Sequence, residues 1–313
     1  MTDYFSRAVF LNLALIHSEL IRPIISIPEF TWQPAQRPPF QRRPSQKRMA
    51  GLPASVLHHI VDAHCHPTEA PFISDDSMNR LDITVCAMST NQADQSLVRD
   101  LALRYPTKVI PCFGYHPWFT HFISLQPRSS KYEHYRDLFL GRGDTQPSPE
   151  SASAFDELLP FLPEPITIED VLLDLRHNFE SFPSTTSMLG EVGVDKGFRV
   201  AFDYHASPRK LSPFTIPLDH QLSILEAQLD LAIELGHNVS LHSVKYPQGT
   251  VDLLNKVKNT HGPRFETIRI NIHSCSMNPQ VWTSLQKKHS NVFLSLSTNQ
   301  TLTISTCARK GAL

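Results

Sequence analysis

Residues 61–70 read VDAHCHPTEA, an apolar run that ends in two histidines one residue apart. An extended chain alternates its side chains, which places Asp62, His64 and His66 on one face and Val61, Ala63 and Cys65 on the other. Two imidazoles on one face of a strand end can chelate a divalent cation, or can simply close the strand as exposed polar residues. The pair alone leaves both readings open. Further candidates recur along the chain, each at the end of a strand-like run: His116 in GYHPWF, Glu191 in LGEVGVD with Asp195 four residues on, His242 in SLHS and His273 in NIHS. Taken singly, His242 and His273 read as polar strand caps. Taken jointly, the recurrence argues for a metal-binding centre, because imidazole with carboxylate suits zinc, manganese or iron and a mixed set also accepts magnesium.

Such a centre needs elements that carry every candidate to one place. From residue 56 onward the chain alternates β-like and helix-like segments. Strands are predicted over 58–65, 82–89, 108–115, 187–194, 237–243, 267–274 and 291–297, most rich in Val, Ile, Leu and Phe as in strands buried on both faces of a parallel sheet. In DHQLSILEAQLDLAIELG, Leu222, Leu225, Leu229, Ala232 and Ile233 recur at helical spacing, with Asp219 as predicted N-cap and Gly236 as the residue past the end. Seven such units predict a TIM-like (β/α)8 barrel that lacks its eighth unit, with an open doubly wound sheet as the alternative. In a barrel the C-terminal strand ends share one rim, where the candidates fall. Between about 122 and 186 no strand is evident, and a Pro/Ser-rich stretch reads as an excursion from the barrel, followed by a helix at TIEDVLLDLRHNFESF.

Bulk composition narrows the function classes. The 313 residues carry 29 Lys+Arg against 30 Asp+Glu, a net charge of −1, so neither nucleic acid nor an anionic membrane is attracted by the molecule as a whole. Five scattered cysteines suit reduced intracellular thiols better than a disulfide framework. No apolar stretch approaches the roughly 20 residues that span a bilayer. Residues 1–50 carry no candidate site residue and include TWQPAQRPPFQRRPSQKR, so they read as a disordered or misannotated extension ahead of a domain over 51–313. Asp3 and Glu19 argue against a mitochondrial presequence, leaving the cytoplasm or nucleus as the expected location.

VDAHCHP, CFGYHPWF, LGEVGVD, LHS and NIHSCS occur in the order seen in TatD-type metal-dependent hydrolases of the amidohydrolase superfamily, and over roughly 58–300 the chain resembles that family, its eukaryotic branch in particular. The resemblance implies a distorted barrel and hydrolysis of phosphodiester or other ester bonds, with DNA as substrate, often trimmed from 3′ ends. It also implies two divalent ions (Mg, Mn or Zn): His64 and His66 on the first, His242 and His273 on the second, and Glu191 bridging both. His116 corresponds to a histidine near the substrate phosphate, and Asp62 to an orienter of His64.

Two departures qualify the resemblance. Bacterial relatives place an arginine two residues after the fifth-strand histidine, whereas here Val244 stands there and Lys245 follows as the expected substrate contact. The family also draws a last ligand from an Asp ending strand eight, and no acidic residue follows Glu266. The chain therefore reads as truncated at its C-terminus, and a catalytically impaired binding or scaffold protein with a protein partner is the second expectation. A mononuclear, deaminase-like amidohydrolase is a third.

Overall fold

The computed structural model describes Val9, Phe10 and residues 53–295, except positions 71, 128, 144–145, 205, 207 and 274–276. Strands β1 (Ile60–Cys65), β2 (Thr84–Met88), β3 (Val109–Phe113), β4 (Met188–Asp195), β5 (Asn238–Val244), β6 (Ile270–His273) and β7 (Val292–Leu294) lie side by side in chain order. Every neighbouring pair is parallel. Beyond β1, the two-residue strand Val9–Phe10 adds to the sheet, pairing in parallel with Ile60 and Val61. The remainder of the expected N-terminal extension, and everything after Ser295, lies outside the described residues.

The sheet is curled. In a flat sheet β1 and β6 would stand five strand spacings apart, about 24 Å. Instead the rings of His64 and His273 lie 3.7 Å apart between centroids. That closure, with an uninterrupted strand order, excludes the open doubly wound alternative and makes the fold a TIM-like barrel wall of seven βα strands. No eighth unit follows β7 among the described residues.

Besides two short helices at Ala54–Leu57 and Asp75–Asn79, the described residues form the longer helices α1 (Gln92–Arg104), α2 (Lys131–Leu140), α3 (Pro149–Leu158), α4 (Ile168–Ser181), α5 (Leu218–Leu235), α6 (Pro247–His261) and α7 (Pro279–Lys288). Local chemistry explains their limits. Asn91 caps α1 in a capping box with Asp94, and Gly236 ends α5 in the left-handed conformation at φ 77°. Asp219 is not the N-cap of α5: Pro217 holds that position, and Asp219 lies in the first turn. Leu225, Leu229, Ala232 and Ile233 of α5 are buried against the outside of the strands, in a core shared with Phe113, Leu189 and Ile270. A smaller cluster fills the barrel floor, from Val61, Cys86, Met88, Cys112 and Met188.

The excursion between β3 and β4 is folded. Ile123–Ser124 pairs in parallel with Ile166–Thr167, a short sheet the sequence did not signal. Between them α2 and α3 pack Tyr135, Phe155 and Leu158 against Val200, Phe214 and Ile216 from the segment after β4. The Pro/Ser-rich stretch is a helix start: Ser148 caps α3 and Pro149 takes its first position, where a missing N–H costs nothing.

Histidines replace apolar residues where this lobe meets the barrel. His121, His134 and His220 are buried there, with His134 Nε2 2.8 Å from the His121 carbonyl and His220 Nε2 2.9 Å from the Thr120 carbonyl. Burial lowers their pKa values, to about 3 for His121 and about 4 for His220. Between pH 6.5 and 4 the unfolded chain therefore binds protons that the folded lobe refuses, and stability falls as pH drops through that window. His220→Gln should lessen this loss by up to about 1.4 kcal/mol per pH unit, the weight of one proton. Melting temperatures measured from pH 7 to 4 check it; identical slopes for the two proteins would refute the assignment.

Candidate metal centre at the strand ends

The C-terminal ends of β1, β3, β4, β5 and β6 converge on one carboxylate, that of Glu191, which is 3% exposed. Its Oε2 lies 3.2 Å from His64 Nε2 and 2.9 Å from His66 Nε2. Its Oε1 lies 2.7 Å from His242 Nδ1 and 3.2 Å from His116 Nε2, and it also meets His273 Nε2. One carboxylate thus forks between two sets of imidazoles.

Two interruptions of strand alternation make the fork. Val61 belongs to the floor cluster, and Ala63 lines a crevice there with Cys86 and Met188. The β1–β2 register then shifts between Asp62 and Cys65, and His64, the next residue after Ala63, also faces inward. Asp62 therefore does not share the face of His64 and His66 as strict alternation implies; its Oδ1 accepts the His64 backbone N–H at 3.1 Å. The ring of His64 is steadied from β5, where Ser240 Oγ lies 3.0 Å from Nδ1. In β4, Met188 and Gly190 face inward, and a second shift between Leu189 and Val192 turns Glu191 inward as well. Irregularities of this kind re-aim side chains at sites.

Gly193 brings the next histidine into reach. It stands opposite His242 in the β4–β5 register, at φ 155°, and a Cβ there would lie 2.1 Å from the His242 carbonyl oxygen. With no side chain at 193, the ring of His242 spans the residues on either side, Nδ1 toward Glu191 and Nε2 3.6 Å from Asp195 Oδ2. Asp195 is itself held, accepting from Trp118 Nε1 and from the Gly197 backbone N–H, each at 2.7 Å.

The electrostatics follow from burial and neighbours. Burial pushes the Glu191 pKa up, but the histidines around it, His116, His273 and His64 foremost, outweigh that and hold it well below the usual carboxylate range. Burial depresses His116 to about 4 and pushes His273 down strongly, so both are neutral imidazoles. His242 goes the other way: burial opposes its charge, yet the carboxylates of Asp195 and Glu191 beside it raise it to about 9.

This donor set fits divalent metal. Potential ligand atoms of His64, Glu191 and His273 lie within 4.8 Å of one another, as do those of His116, Glu191 and His242. Nδ1 of His66 and Nε2 of His242, the ring nitrogens turned away from Glu191, are buried without a hydrogen-bond partner among the described residues. All six predicted groups, His64, His66, His116, Glu191, His242 and His273, are brought together. Lys245 is not. It is exposed, with its Nζ beside Gly197, and it does not line the cleft of about 350 Å³ above the histidines. The cation that does line it is Arg209, together with Trp118, Phe119 and Tyr204. Trp118 and Phe119 come just after His116 and Pro117 in GYHPWF and were legible by proximity; Tyr204 and Arg209 sit in an irregular segment that no periodicity marks.

A curled parallel βα wall with histidines and a central carboxylate on its C-terminal rim defines a TIM-like barrel protein with a candidate metal centre. The sequence profile of TatD related DNase matches residues 61–310, and the chain belongs to that family. It is 35% identical over 205 residues to the Cut9-interacting protein scn1 of Schizosaccharomyces pombe, a match covering 60% of this chain and 56% of that one. It is 29% identical over 226 residues to the uncharacterized deoxyribonuclease YMR262W of Saccharomyces cerevisiae, covering 70% and 66%. The chain thus spans less than two thirds of the length of these curated relatives. Among solved structures, the TatD homologue YJJV of Escherichia coli K12 shares 16% identity at a TM-score of 0.40, over 75% of this chain and 77% of that one. An uncharacterized amidohydrolase from Saccharomyces cerevisiae shares 13% at a TM-score of 0.39, over 68% and 56%.

The close approach at Gly193 is open to test. Gly193→Ala must push β4 and β5 apart, at an expected cost of about 1–3 kcal/mol, read as a lower melting temperature. A variant that melts with the parent protein would show that the two strands have room for a side chain.

Proposed function

We propose that this chain is a metal-dependent phosphodiesterase of the deoxyribonuclease type, acting on DNA ends, with 3′ ends as the expected point of attack. The observation that carries this reading is the fork at Glu191, whose two carboxylate oxygens address separate imidazole sets. His64, His66, His242 and His273 would hold two divalent ions with Glu191 shared between them, and the metal-sized groupings set His273 beside His64 and His242 beside His116 rather than the histidines in their chain-order pairs; Mg, Mn and Zn are the candidates. Bound there, divalent cations supply Lewis acidity, activating water and offsetting phosphate charge.

The chain's own residues set the stage for that chemistry. Glu191 stays ionised across the physiological range, so it can serve both sets without waiting for a proton to leave. His116 is neutral and so acts as a hydrogen-bonding group toward a phosphate rather than as a cationic anchor. Ser240 fixes the ring of His64, and Asp195, tied to Trp118, holds His242 from the far side, so the donors are oriented before any ion arrives. Cys65, Cys86 and Cys112 are free thiols, which supports the cytoplasm or nucleus as location. No helix among the described residues is long and apolar enough to cross a membrane.

A second reading, a binding or scaffold protein that retains the fold, is favoured by the Cut9-interacting relative. One experiment separates the two. The protein loaded with Mn or Mg should shorten a single-stranded oligonucleotide that has a free 3′ end. His64→Ala with His66→Ala should lower bound metal by elemental analysis and reduce cleavage at least about 100-fold, as loss of orienting and coordinating groups does elsewhere. Glu191→Gln should lower the content of both ions. Unchanged metal in a folded His64/His66 double variant would sink the ligand assignment. Metal binding without cleavage of any ester by the parent protein would move the scaffold reading ahead.

A further inference from the structure

The segment between β4 and α5 carries the only Lys or Arg lining the metal-site cleft among the described residues, Arg209. This segment folds back on itself. Val200 N–H donates to the Phe214 carbonyl at 2.9 Å, Phe202 N–H to the Lys210 carbonyl at 3.0 Å, and Ser212 N–H to the Val200 carbonyl at 2.8 Å. Ala201 and Leu211 form an antiparallel bridge. Val200, Phe214 and Ile216 root this hairpin in the core of the lobe, which leaves Tyr204 and Arg209 facing each other near its tip. The Arg209 guanidinium lies over the Tyr204 ring, 4.0 Å from the centroid. It makes no ion pair with a carboxylate among the described residues, unlike Lys210 next to it, which pairs with Glu157.

The neighbouring surface is aromatic. Tyr204 meets Phe119 edge-on at 5.1 Å and Trp118 at 5.9 Å, and Trp118 stacks on Phe198 at 5.3 Å with an interplanar angle of 14°. The hydrogen bond from Trp118 Nε1 to Asp195 keeps that indole in place. The cleft therefore has histidines and the Glu191 carboxylate at its base, aromatic faces along one wall, and two exposed charged residues in its lining, the Arg209 cation and the Glu69 carboxylate.

We propose that Arg209, braced on Tyr204, grips a backbone phosphate of a single-stranded nucleic-acid end while the aromatic wall receives an unpaired base. The inference rests on the phosphodiesterase reading above and adds the residues that select its substrate. A guanidinium stacked on a ring keeps its edge N–H groups free for bidentate contact with phosphate oxygens. Bases stack on aromatic side chains irrespective of sequence. At about 350 Å³ the cleft has the volume of a small-ligand site, enough for one unpaired nucleotide. With a net charge of −1, the chain offers no general attraction to phosphate, and a local cation must supply it.

The test is binding of a fluorescein-labelled single-stranded oligonucleotide to the full chain in EDTA, followed by anisotropy, with hydrolysis of bis(4-nitrophenyl) phosphate in Mn measured separately. Arg209→Ala should weaken binding about tenfold or more and reduce the slope of log affinity against log salt by about 0.7, one phosphate contact on a single strand. Arg209→Lys should fall between, since it keeps the charge and loses the stacked fork. Tyr204→Leu should weaken binding about fivefold or more, the low end of what one stacked base contributes. Lys245→Ala should bind as the parent does. Equal affinity for Arg209→Ala and the parent, at matched melting temperatures, overturns the proposal, as does a greater loss in Lys245→Ala. Parent protein that hydrolyses the small ester but binds no single strand overturns the proposal and leaves the phosphodiesterase reading standing. Arg209-dependent binding without any hydrolysis has the opposite meaning: the grip stands and the catalytic reading falls.

Discussion

A buried carboxylate in the middle of a ring of imidazoles is the constraint around which this molecule is organised. Placing an ionised Glu191 at 3% exposure would carry a heavy desolvation penalty if it stood alone. It is compensated only because His64, His66, His116, His242 and His273 reach it from four other strands or strand ends. That requirement reaches far into the backbone. The sheet has to curl until β1 and β6 meet. The registers of β1 and β4 have to slip by one residue, and position 193 has to be bare so that His242 can lie across the gap.

Stiffness around the centre comes from contacts that bind no substrate. Gln221 and Gln228 of α5 turn inward from a largely apolar face: Gln221 Oε1 accepts the Asp195 backbone N–H and Gln228 Oε1 accepts that of Tyr115, each at 2.9 Å. The helix thus fixes the strand ends next to two site residues, Asp195 and His116. The histidine-lined junction under the helical lobe does the same for the turn after β3. Neutral imidazoles there tie main-chain carbonyls of the Pro117–Phe122 turn to α2 and α5.

The lobe gives the cleft its asymmetry. On the barrel side the cleft is walled by strand ends and histidines, whereas on the lobe side it is walled by Trp118, Phe119 and Tyr204 with Arg209 at the rim. The excursion over 122–186 contributes no lining residue itself; its α2 and α3 support the hairpin after β4 that brings Tyr204 and Arg209 to the cleft, consistent with loops on a rigid scaffold carrying specificity.

Much of this was legible in the sequence because its signals are local. Apolar runs of strand length, the 3.6-residue spacing of Leu225, Leu229 and Ala232, and Gly236 after the last turn marked the βα units and their order. His64, His66, His116, Glu191, His242 and His273 each stood at a strand end, and parallel order alone requires such ends to share a rim. The spacing of side chains across that rim is another matter. Alternation misassigned Asp62 to the face of His64, because a register slip is decided by how two strands pair and not by either strand's own pattern. Lys245 stands three residues after the fifth-strand histidine yet does not line the cleft, while Arg209 and Tyr204 reach the cleft from an irregular hairpin whose path depends on a core formed with α2 and α3. The amino-acid order determined which chemistries gather at one end of the sheet; three-dimensional packing decided which oxygen each imidazole faces and which cation guards the entrance, because those distances depend on strand pairing and lobe contacts between residues far apart in the chain.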